Sequence, residues 1–230
     1  MENFHTILDN PEKDERLKLI AEEIKKCRKC ALWETKMNYV PGEGSGYSGI
    51  VFVGEAPGRE EDIQGRPFVG NAGKLLTELI EEKLGLQRSQ VFITNVLKCR
   101  PPNNRDPLPE EIEACKPYLL KQLEILKPST IVCLGRHSAS LLFDHFGLNF
   151  LGITRVRGRP FEVAVEWGKV RLIAVYHPAA ALYRPQLKEV LEKDFSKLGE
   201  FVMVKENKEN KKSRGIRTKN KTLKDFFSEL

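Results

Sequence analysis

Residues 49–68 read Gly-Ile-Val-Phe-Val-Gly-Glu-Ala-Pro-Gly-Arg-Glu-Glu-Asp-Ile-Gln-Gly-Arg-Pro-Phe, a short apolar run followed by an acidic loop. The run from Ile50 to Val53 is typical of a buried strand, and Pro57-Gly58 turns the chain after it. A helix is predicted from Gly70 to about Leu84. The polar groups therefore follow the carboxyl end of a strand, where open α/β sheets place their sites.

Strands and helices alternate along the rest of the chain. Apolar runs predict further strands at 90–94, 130–134 and 170–176, and alternation predicts a hairpin over 152–164. Helical spacing of apolar residues predicts helices at 13–26, 110–126, 135–146 and 186–204. This order predicts an α/β fold with a parallel or mostly parallel central sheet covered by helices on both faces.

The charge is concentrated at the end of the chain. The net charge is +6, but residues 205–230 hold nine basic and four acidic groups, so residues 1–204 carry only 29 basic against 28 acidic groups. We therefore expect a folded domain over 1–204 and a basic, disordered tail over 205–230. A nucleic-acid site in the folded part must then be a local basic patch.

Composition also bears on the setting of the protein. No apolar run approaches the roughly 20 residues of a membrane span, and the polar N-terminal residues do not resemble a signal peptide. An intracellular protein without a membrane segment is expected. Charged residues make up 30% of the chain, a level that resembles thermophile proteins.

Four of the five cysteines have the spacing of a metal site. Cys27 and Cys30 form a C-x2-C pair, and Cys99 and Cys115 follow far along the chain. Four thiolates hold either zinc or an iron–sulfur cluster. Zinc fingers and ribbons use a second tight pair, which is missing here, so the spacing favours a cubane cluster and leaves zinc as the alternative. Cys133 lies inside a predicted strand and is expected to belong to the core.

Polar loops follow three of the predicted strands, at 55–68, 95–105 and 177–184. In a parallel sheet these loops meet at one edge. Asn95 offers an amide for the donor and acceptor edge of a pyrimidine, Phe68 offers a ring to stack on its face, and His177 offers a hydrogen bond to an oxygen that gains charge. Such a set suits a flipped-out base in a pocket. Three side chains are placed to neutralise phosphates around it, namely Arg100, Arg105 and Arg184.

Several long motifs carry a family resemblance. They are Gly-Glu-Ala-Pro-Gly-Arg-Glu-Glu-Asp (54–62), Gly-Arg-Pro-Phe-Val-Gly-Asn-Ala-Gly (65–73), Thr-Asn-Val-Leu-Lys-Cys-Arg-Pro-Pro-Asn-Asn-Arg (94–105) and His-Pro-Ala (177–179). With the four cysteines, they resemble the uracil-DNA glycosylase superfamily over about residues 15–200, and specifically family 4, the iron–sulfur enzymes of archaea and thermophilic bacteria. The resemblance implies a four-stranded parallel sheet between helices in a three-layer α/β/α fold. It also implies a [4Fe–4S] cluster on Cys27, Cys30, Cys99 and Cys115.

The same resemblance implies an activity and roles for individual residues. The protein would act as a monomer inside an archaeal or bacterial cell, flip deoxyuridine out of DNA and hydrolyse its N-glycosidic bond, the first step of base-excision repair. Phe68 would stack on uracil, Asn95 would read its edge and His177 would steady O2. The backbone amide of Ala56 would line the pocket beside Glu55.

Two further sets of residues follow from the resemblance. The aspartate that orients water in family 1 is missing from this loop, so Glu55 is expected to orient water or stabilise charge, with Glu61 as the second choice. The loop after His177 probes DNA in this superfamily, which makes Leu182 or Tyr183 the expected wedge. The tail resembles a sliding-clamp-binding peptide through Leu223, Phe226 and Phe227, although Asn220 stands where such peptides have glutamine.

Two other function classes remain open from the residues. A non-catalytic iron–sulfur or zinc module would bind nucleic acid without releasing a base. A small-molecule α/β hydrolase or nucleotide enzyme would use the acidic loop, but the chain has neither a G-x-x-x-x-G-K-[ST] phosphate loop nor a G-x-S-x-G serine elbow.

Overall fold

The first strand, β1 (Ile50–Gly54), lies inside the sheet and is buried over its whole length. In this computed structural model, which describes residues 11–217, β1 pairs in parallel with β2 (Phe92–Asn95) and with β3 (Thr130–Leu134). Beyond β3 lies a further parallel strand, β5 (Gly168–Val175), and β4 (Pro160–Val165) pairs antiparallel with it at the edge. The strand order is therefore β2-β1-β3-β5-β4.

Helices lie between and after the strands. In chain order they are α1 (Pro11–Lys25), α2 (Leu32–Thr35), α3 (Arg59–Gln64), α4 (Asn71–Leu84), α5 (Pro109–Leu126), α6 (Arg136–His145), α7 (Ile153–Val156), α8 (Pro178–Tyr183) and α9 (Pro185–Arg217). Two short 3-10 turns lie at Arg88–Gln90 and Pro102–Asn104. In the described part of the chain, no helix combines the length and apolar character needed to cross a membrane.

The alternation of side chains along β1 divides the core into two halves. Val51 and Val53 pack with buried side chains of α1, α5 and α6. Ile50 and Phe52 pack with α4, α8 and α9 on the opposite face, where the Phe52 ring stacks on Phe195 of α9 at 5.9 Å. A strand that is buried on both faces must be apolar throughout, which explains the continuous run in the sequence.

All four parallel strands end at the same edge of the sheet. After β1, β2, β3 and β5 the chain continues into loops at residues 55, 96, 135 and 176. Because the pairings are in parallel register, these loops are neighbours in space. The fold thus assembles side chains that are far apart in the sequence.

The predicted α/β fold with a mostly parallel sheet between helices is confirmed, with two corrections. The expected four parallel strands are joined by a fifth, antiparallel strand. The predicted hairpin over 152–164 is wrong, because residues 153–156 form the helical turn α7 and the hairpin is instead made by β4 and β5. Gly152, at φ 91°, starts that turn in a conformation that favours glycine.

The last helix is longer than the sequence predicted. It was expected to end near residue 204, but α9 continues to Arg217, so the first part of the segment predicted to be disordered is helical. Lysine, glutamate and arginine are good helix formers, and they dominate this stretch. The predicted clamp-binding residues Leu223, Phe226 and Phe227 lie outside the described residues.

Candidate active site

The pocket is built around Gly54, the last residue of β1. In the sheet register Gly54 lies opposite Asn95, the last residue of β2. A Cβ atom at residue 54 would overlap Asn95 Oδ1 and the ring of Phe68. Glycine at this position therefore leaves the space into which the amide and the ring project.

Asn95 is buried to 1% exposure, and its Oδ1 atom has no hydrogen-bond partner among the described residues. Leaving a buried carbonyl oxygen without a donor is costly, and most buried polar atoms in folded proteins are paired. Asn95 Oδ1 is therefore available to a donor that is not among the described residues.

The Phe68 ring forms one wall of the pocket. Its centroid lies 5.6 Å from that of the His177 imidazole, with 30° between the planes. The backbone of Phe68 has a φ of 51°, which is uncommon for a bulky residue. Arg88 supports this conformation by donating a hydrogen bond of 2.6 Å to the carbonyl oxygen of Pro67. Gly73 also supports it, because a Cβ there would overlap the Phe68 carbonyl group.

His177 precedes α8 and is held as a neutral imidazole. Its Nδ1 accepts a hydrogen bond of 3.1 Å from the backbone N–H of Ala179. Burial lowers the pKa of His177 to about 4, although the Glu61 carboxylate acts in the opposite direction. A neutral ring that accepts at Nδ1 carries its proton on Nε2. The pocket therefore contains a fixed Nε2–H donor.

Glu55 lies in a group of charged residues at the same edge. Its Oε2 atom is 3.7 Å from His137 Nε2, which in turn is 3.5 Å from Asp106 Oδ2. Burial raises the pKa of the Glu55 carboxyl, with Asp106 acting in the same direction, whereas His137 and Arg136 lower it. An ionised Glu55 is a base that is stronger than an exposed glutamate.

Glu61 has a different environment from Glu55. One of its carboxylate oxygens accepts hydrogen bonds from the backbone N–H groups of Val69 and Gly70, at 2.9 and 3.0 Å. The other oxygen accepts from the N–H of Gly58 at 3.1 Å. This carboxylate joins the two loops that border the pocket, so its oxygens are occupied by the protein itself.

The other predicted site residues lie around the pocket and differ in how much of each side chain is exposed to solvent. Ala56 is partly buried against the core. Leu182 and Tyr183 at the end of α8 are exposed to 45% and 85%, and Arg184 follows them on the surface. Arg100 is partly exposed and donates to Asn104 Oδ1 at 2.7 Å. These residues form a rim that a large ligand reaches first.

Arg105 differs from the other predicted phosphate-binding arginines. Both of its terminal nitrogens donate to the carboxylate of Glu111, which is buried to 2% exposure. The same carboxylate accepts from the N–H of Leu108 at the start of α5. The Arg105 hydrogen bond and this backbone bond lower the pKa of Glu111, although its burial opposes them. In the structure, Arg105 therefore connects its loop to α5 through Glu111.

The four predicted metal ligands, Cys27, Cys30, Cys99 and Cys115, lie near one another, and none forms a disulfide. Burial raises the pKa of Cys99, and Cys115, Cys30 and Cys27 act in the same direction, so the four thiols are close enough to interact. The backbone N–H of Lys98 donates to Cys115 Sγ at 3.3 Å. Burial also raises the pKa of Cys115, to about 11, so that binding of a metal must supply the energy to remove its proton.

The spacing of the sulfur atoms bears on the kind of metal centre. Among the described residues, the only group of three ligand atoms within 4.8 Å of one another is formed by Glu55, Asp106 and His137. Thiolates on a single zinc ion lie about 3.8 Å apart, because Zn–S bonds are about 2.3 Å long. The four sulfurs are therefore more widely spaced than around one ion. The chamber between them is lined by apolar side chains, including Ile24, Leu32, Trp33 and Leu97.

Three residues of this region were missed by the sequence analysis, namely Asp106, His137 and Lys98. His137 is the third residue after β3, and the topological argument that selected the other three loops applies equally to this one. Nothing in the sequence indicated that Lys98 is buried, because a lysine in a basic loop is normally exposed. Its ammonium is instead buried to 1% exposure, and burial lowers its pKa to about 8.

Comparison with known proteins gives a consistent result. The family model described as Uracil DNA glycosylase superfamily matches residues 41–198. A type-4 uracil-DNA glycosylase of Archaeoglobus fulgidus is 60% identical over 188 residues, which cover 81% of this chain and 94% of that protein. The type-4 enzyme of Sulfurisphaera tokodaii is 54% identical, covering 82% and 86%, and that of Thermotoga maritima is 44% identical, covering 83% and 96%.

The state of His177 can be tested by titration. We expect its imidazole NMR signals to report a neutral Nε2–H tautomer and a pKa of about 4, because burial disfavours the charged ring. The unfolded chain takes up this proton near pH 6.5, so folding stability falls as the pH drops from 6.5 toward 4. In His177→Gln this part of the pH dependence of the unfolding free energy disappears. A His177 that titrates near 6.5 would contradict the neutral assignment.

Proposed function

The chain belongs to the uracil-DNA glycosylase superfamily, as a type-4 member, and we propose how its own residues release uracil. The enzyme hydrolyses the N-glycosidic bond of deoxyuridine in DNA and leaves an abasic site. The observation that carries the assignment of its residues is the buried Asn95 amide, whose Oδ1 atom lacks a donor within the described structure.

Uracil supplies what this amide needs. Its N3–H group donates to Asn95 Oδ1, and its O4 atom accepts from the Nδ2 group of the same residue. Cytosine presents the opposite pattern, an acceptor at N3 and a donor at N4, so both contacts with a fixed amide would become repulsive. A mismatched polar pair in a buried site is costly, and this supports Asn95 as the residue that selects uracil.

Phe68 and His177 act on the same base. Phe68 stacks on the ring of the flipped uracil. His177 donates its Nε2–H to O2, where negative charge develops as the C1′–N1 bond breaks. Because the imidazole is already neutral and oriented by Ala179 N–H, it needs no change of protonation to do this. The backbone amide of Ala56 lines the pocket beside this charge.

We assign to Glu55 the role of orienting the attacking water molecule. The electron pair of the breaking C1′–N1 bond moves to uracil, and the sugar gains positive charge at C1′. Glu55 stabilises that charge and orients a water molecule, whose oxygen bonds to C1′ while its proton passes to the carboxylate. The hydrogen bonds that occupy Glu61 favour Glu55 for this role and give Glu61 the task of holding the loops together.

The exposed rim is proposed to contact DNA. Tyr183 or Leu182 fills the gap that the flipped nucleotide leaves, which offsets an unstacking cost of a few kcal/mol. Arg184 and Arg100 neutralise nearby phosphates. Arg105 acts mainly by fixing its loop through Glu111, which changes the direct contact expected from the sequence into a supporting one.

Cys27, Cys30, Cys99 and Cys115 are proposed to hold a [4Fe–4S] cluster. The wide spacing of their sulfurs and the apolar chamber fit this group better than a single zinc ion. When bound, the cluster supplies a covalent tie between the N-terminal segment and the loop that carries Arg100. The residues proposed for catalysis do not include any of these cysteines, which gives the cluster a structural role.

Features outside the site complete the proposal. Residues 1–204 form the catalytic domain of a monomeric, intracellular enzyme, and its charged surface fits a thermophilic source. The tail carries a sliding-clamp-binding peptide at Leu223, Phe226 and Phe227. The amphipathic pattern of that peptide within a basic segment is its support.

The pocket is tested by uracil release from a uracil-containing DNA strand, beside a thymine control. We expect Asn95→Ala to lower kcat/KM on the order of 10²–10³-fold, because two hydrogen bonds to the leaving base are lost. Asn149→Ala, an exposed residue after α6, serves as the matched control and should release uracil as the wild type does. A folded wild type that binds DNA but releases no uracil would instead indicate a non-catalytic DNA-binding module.

The division of roles between the carboxylates is tested by a pair of variants. Glu55→Gln should lower kcat by about 10²–10⁴-fold without loss of stability, since it removes a base and a partly buried charge. Glu61→Gln should lower the unfolding free energy by about 1.5–3 kcal/mol, because its amide group would face backbone N–H donors. Single-turnover rates and denaturant unfolding measure the two effects. Equal losses of kcat at unchanged stability would refute the separation.

The metal centre is tested by iron and sulfide analysis of the purified protein. The wild type should contain about four iron atoms per chain. Cys99→Ala should lose them together with thermal stability, whereas Cys133→Ala should keep them, because Cys133 is buried inside β3. One zinc ion per chain without sulfide would overturn the cluster.

A further inference from the structure

The Lys98 ammonium group is buried, with 1% of the residue exposed. Within the described part of the protein its partners are a hydroxyl and two carbonyl oxygens, and no aspartate or glutamate forms an ion pair with it. Burying an unpaired charge is expensive unless its hydrogen bonds are all satisfied. The hydrogen bonds of Lys98 must therefore offset the free-energy cost of burying its charge.

Three acceptors surround the ammonium, one for each of its protons. Lys98 Nζ donates to Thr94 Oγ1 at 2.6 Å, to the backbone oxygen of Asn95 at 2.7 Å and to Gln122 Oε1 at 2.8 Å. Thr94 and Asn95 are the last two residues of β2, whereas Gln122 lies on α5. The ammonium thus joins the end of the strand to the neighbouring helix.

The network extends in two directions from Lys98. Thr94 Oγ1 and Gln122 Nε2 both donate to the carbonyl oxygen of Pro41, at 3.0 and 2.8 Å, so the loop before β1 is included. The backbone N–H of Lys98 donates to Cys115 Sγ, so the same residue contacts a proposed cluster ligand. The Lys98 side chain therefore fixes the peptide of Asn95, while the Lys98 backbone contacts Cys115, one of the four proposed cluster ligands.

We propose that Lys98 is a positioning residue for uracil recognition, which holds the Asn95 backbone so that the side-chain amide stays aimed into the pocket. The inference rests on the function proposed for Asn95. Two interactions then hold Asn95 in place. The pairing of the sheet fixes the strand β2, and Lys98 fixes the backbone carbonyl of Asn95, the last residue of that strand.

The requirement for such support follows from the unpaired Oδ1 atom of Asn95. Without uracil, no donor among the residues that the structure describes holds this oxygen in place, so the amide would relax toward other partners if its backbone moved. Misplacement by about 1 Å can cost 10²-fold in rate, even when the moved group stays in the site. Lys98 prevents this movement from a place that uracil never touches.

The test measures binding of free uracil as a competitive inhibitor, together with kcat and KM. Lys98→Met keeps an unbranched side chain that is one atom shorter, and it removes all three donors. Gln122→Met removes the acceptor on α5 that helps to orient the ammonium, together with the Gln122 hydrogen bond to Pro41, but it leaves the Lys98 bond to Asn95. It therefore serves as a milder variant if Lys98→Met does not fold. Leu123→Ala, a buried residue next to Gln122, is the control for a general loss of stability. Iron content and thermal unfolding are recorded for every variant.

We expect the inhibition constant of uracil to rise by about tenfold or more in Lys98→Met and by a smaller factor in Gln122→Met, with a parallel fall in kcat/KM. Leu123→Ala should unfold at a lower temperature and bind uracil as the wild type does. Unchanged uracil affinity in a folded, iron-containing Lys98→Met, or in Gln122→Met if Lys98→Met does not fold, overturns the role of Lys98.

A separate comparison keeps the two proposals distinct. If Asn95→Ala binds uracil as tightly as the wild type, the pocket assignment fails, and the role of Lys98 fails with it. If Asn95→Ala loses affinity and Lys98→Met does not, only the positioning role is wrong.

Discussion

The contact between Gly54 and Asn95 at the end of the β1–β2 pairing is the constraint on which the site depends. Parallel pairing sets these two residues opposite each other, and the absence of a Cβ at Gly54 leaves room for an amide and an aromatic ring. The pairing continues past the strands, because Val96 N donates to Gly54 O and Leu97 N to Glu55 O, each at 3.0 Å. The loop that carries Glu55 is thereby held to the loop that follows Asn95.

Polar groups around this contact divide into those whose hydrogen bonds are satisfied by the protein and those that stay open within the described residues. The carboxylates of Glu61 and Glu111 accept several hydrogen bonds from loop backbone or arginine, and they fix the frame. Asn95 Oδ1 lacks a donor within the described residues, and Nε2 of His177 carries the proton that its Nδ1 does not. In the function that we propose, such a division lets a rigid frame present a few groups that become fully paired only when the base is bound.

Sequence patterns predicted the fold and indicated candidate site residues, because both follow from simple rules. Continuous apolar runs identify strands buried on both faces, and the ends of parallel strands must meet, which brings Asn95 and His177 together from distant positions. The same rules could not separate Glu55 from Glu61, since their difference lies in backbone hydrogen bonds made in three dimensions. They also could not show that Arg105 pairs with a buried glutamate or that Lys98 is buried, because basic residues in a loop are exposed by default.

The conformation of Phe68 has a consequence for how the site responds to heat. Loops usually loosen before the core does, and a non-glycine residue at positive φ stores strain that favours such loosening. Here the restraint comes from Arg88, which binds the Pro67 carbonyl and pairs with Glu43 at 2.7 Å, while Arg66 pairs with the same carboxylate. The desolvation cost of ion pairs falls as temperature rises. The restraint on this aromatic wall should therefore weaken less on heating than one built from neutral hydrogen bonds, which keeps the stacking surface in place under conditions where mobile loops would open.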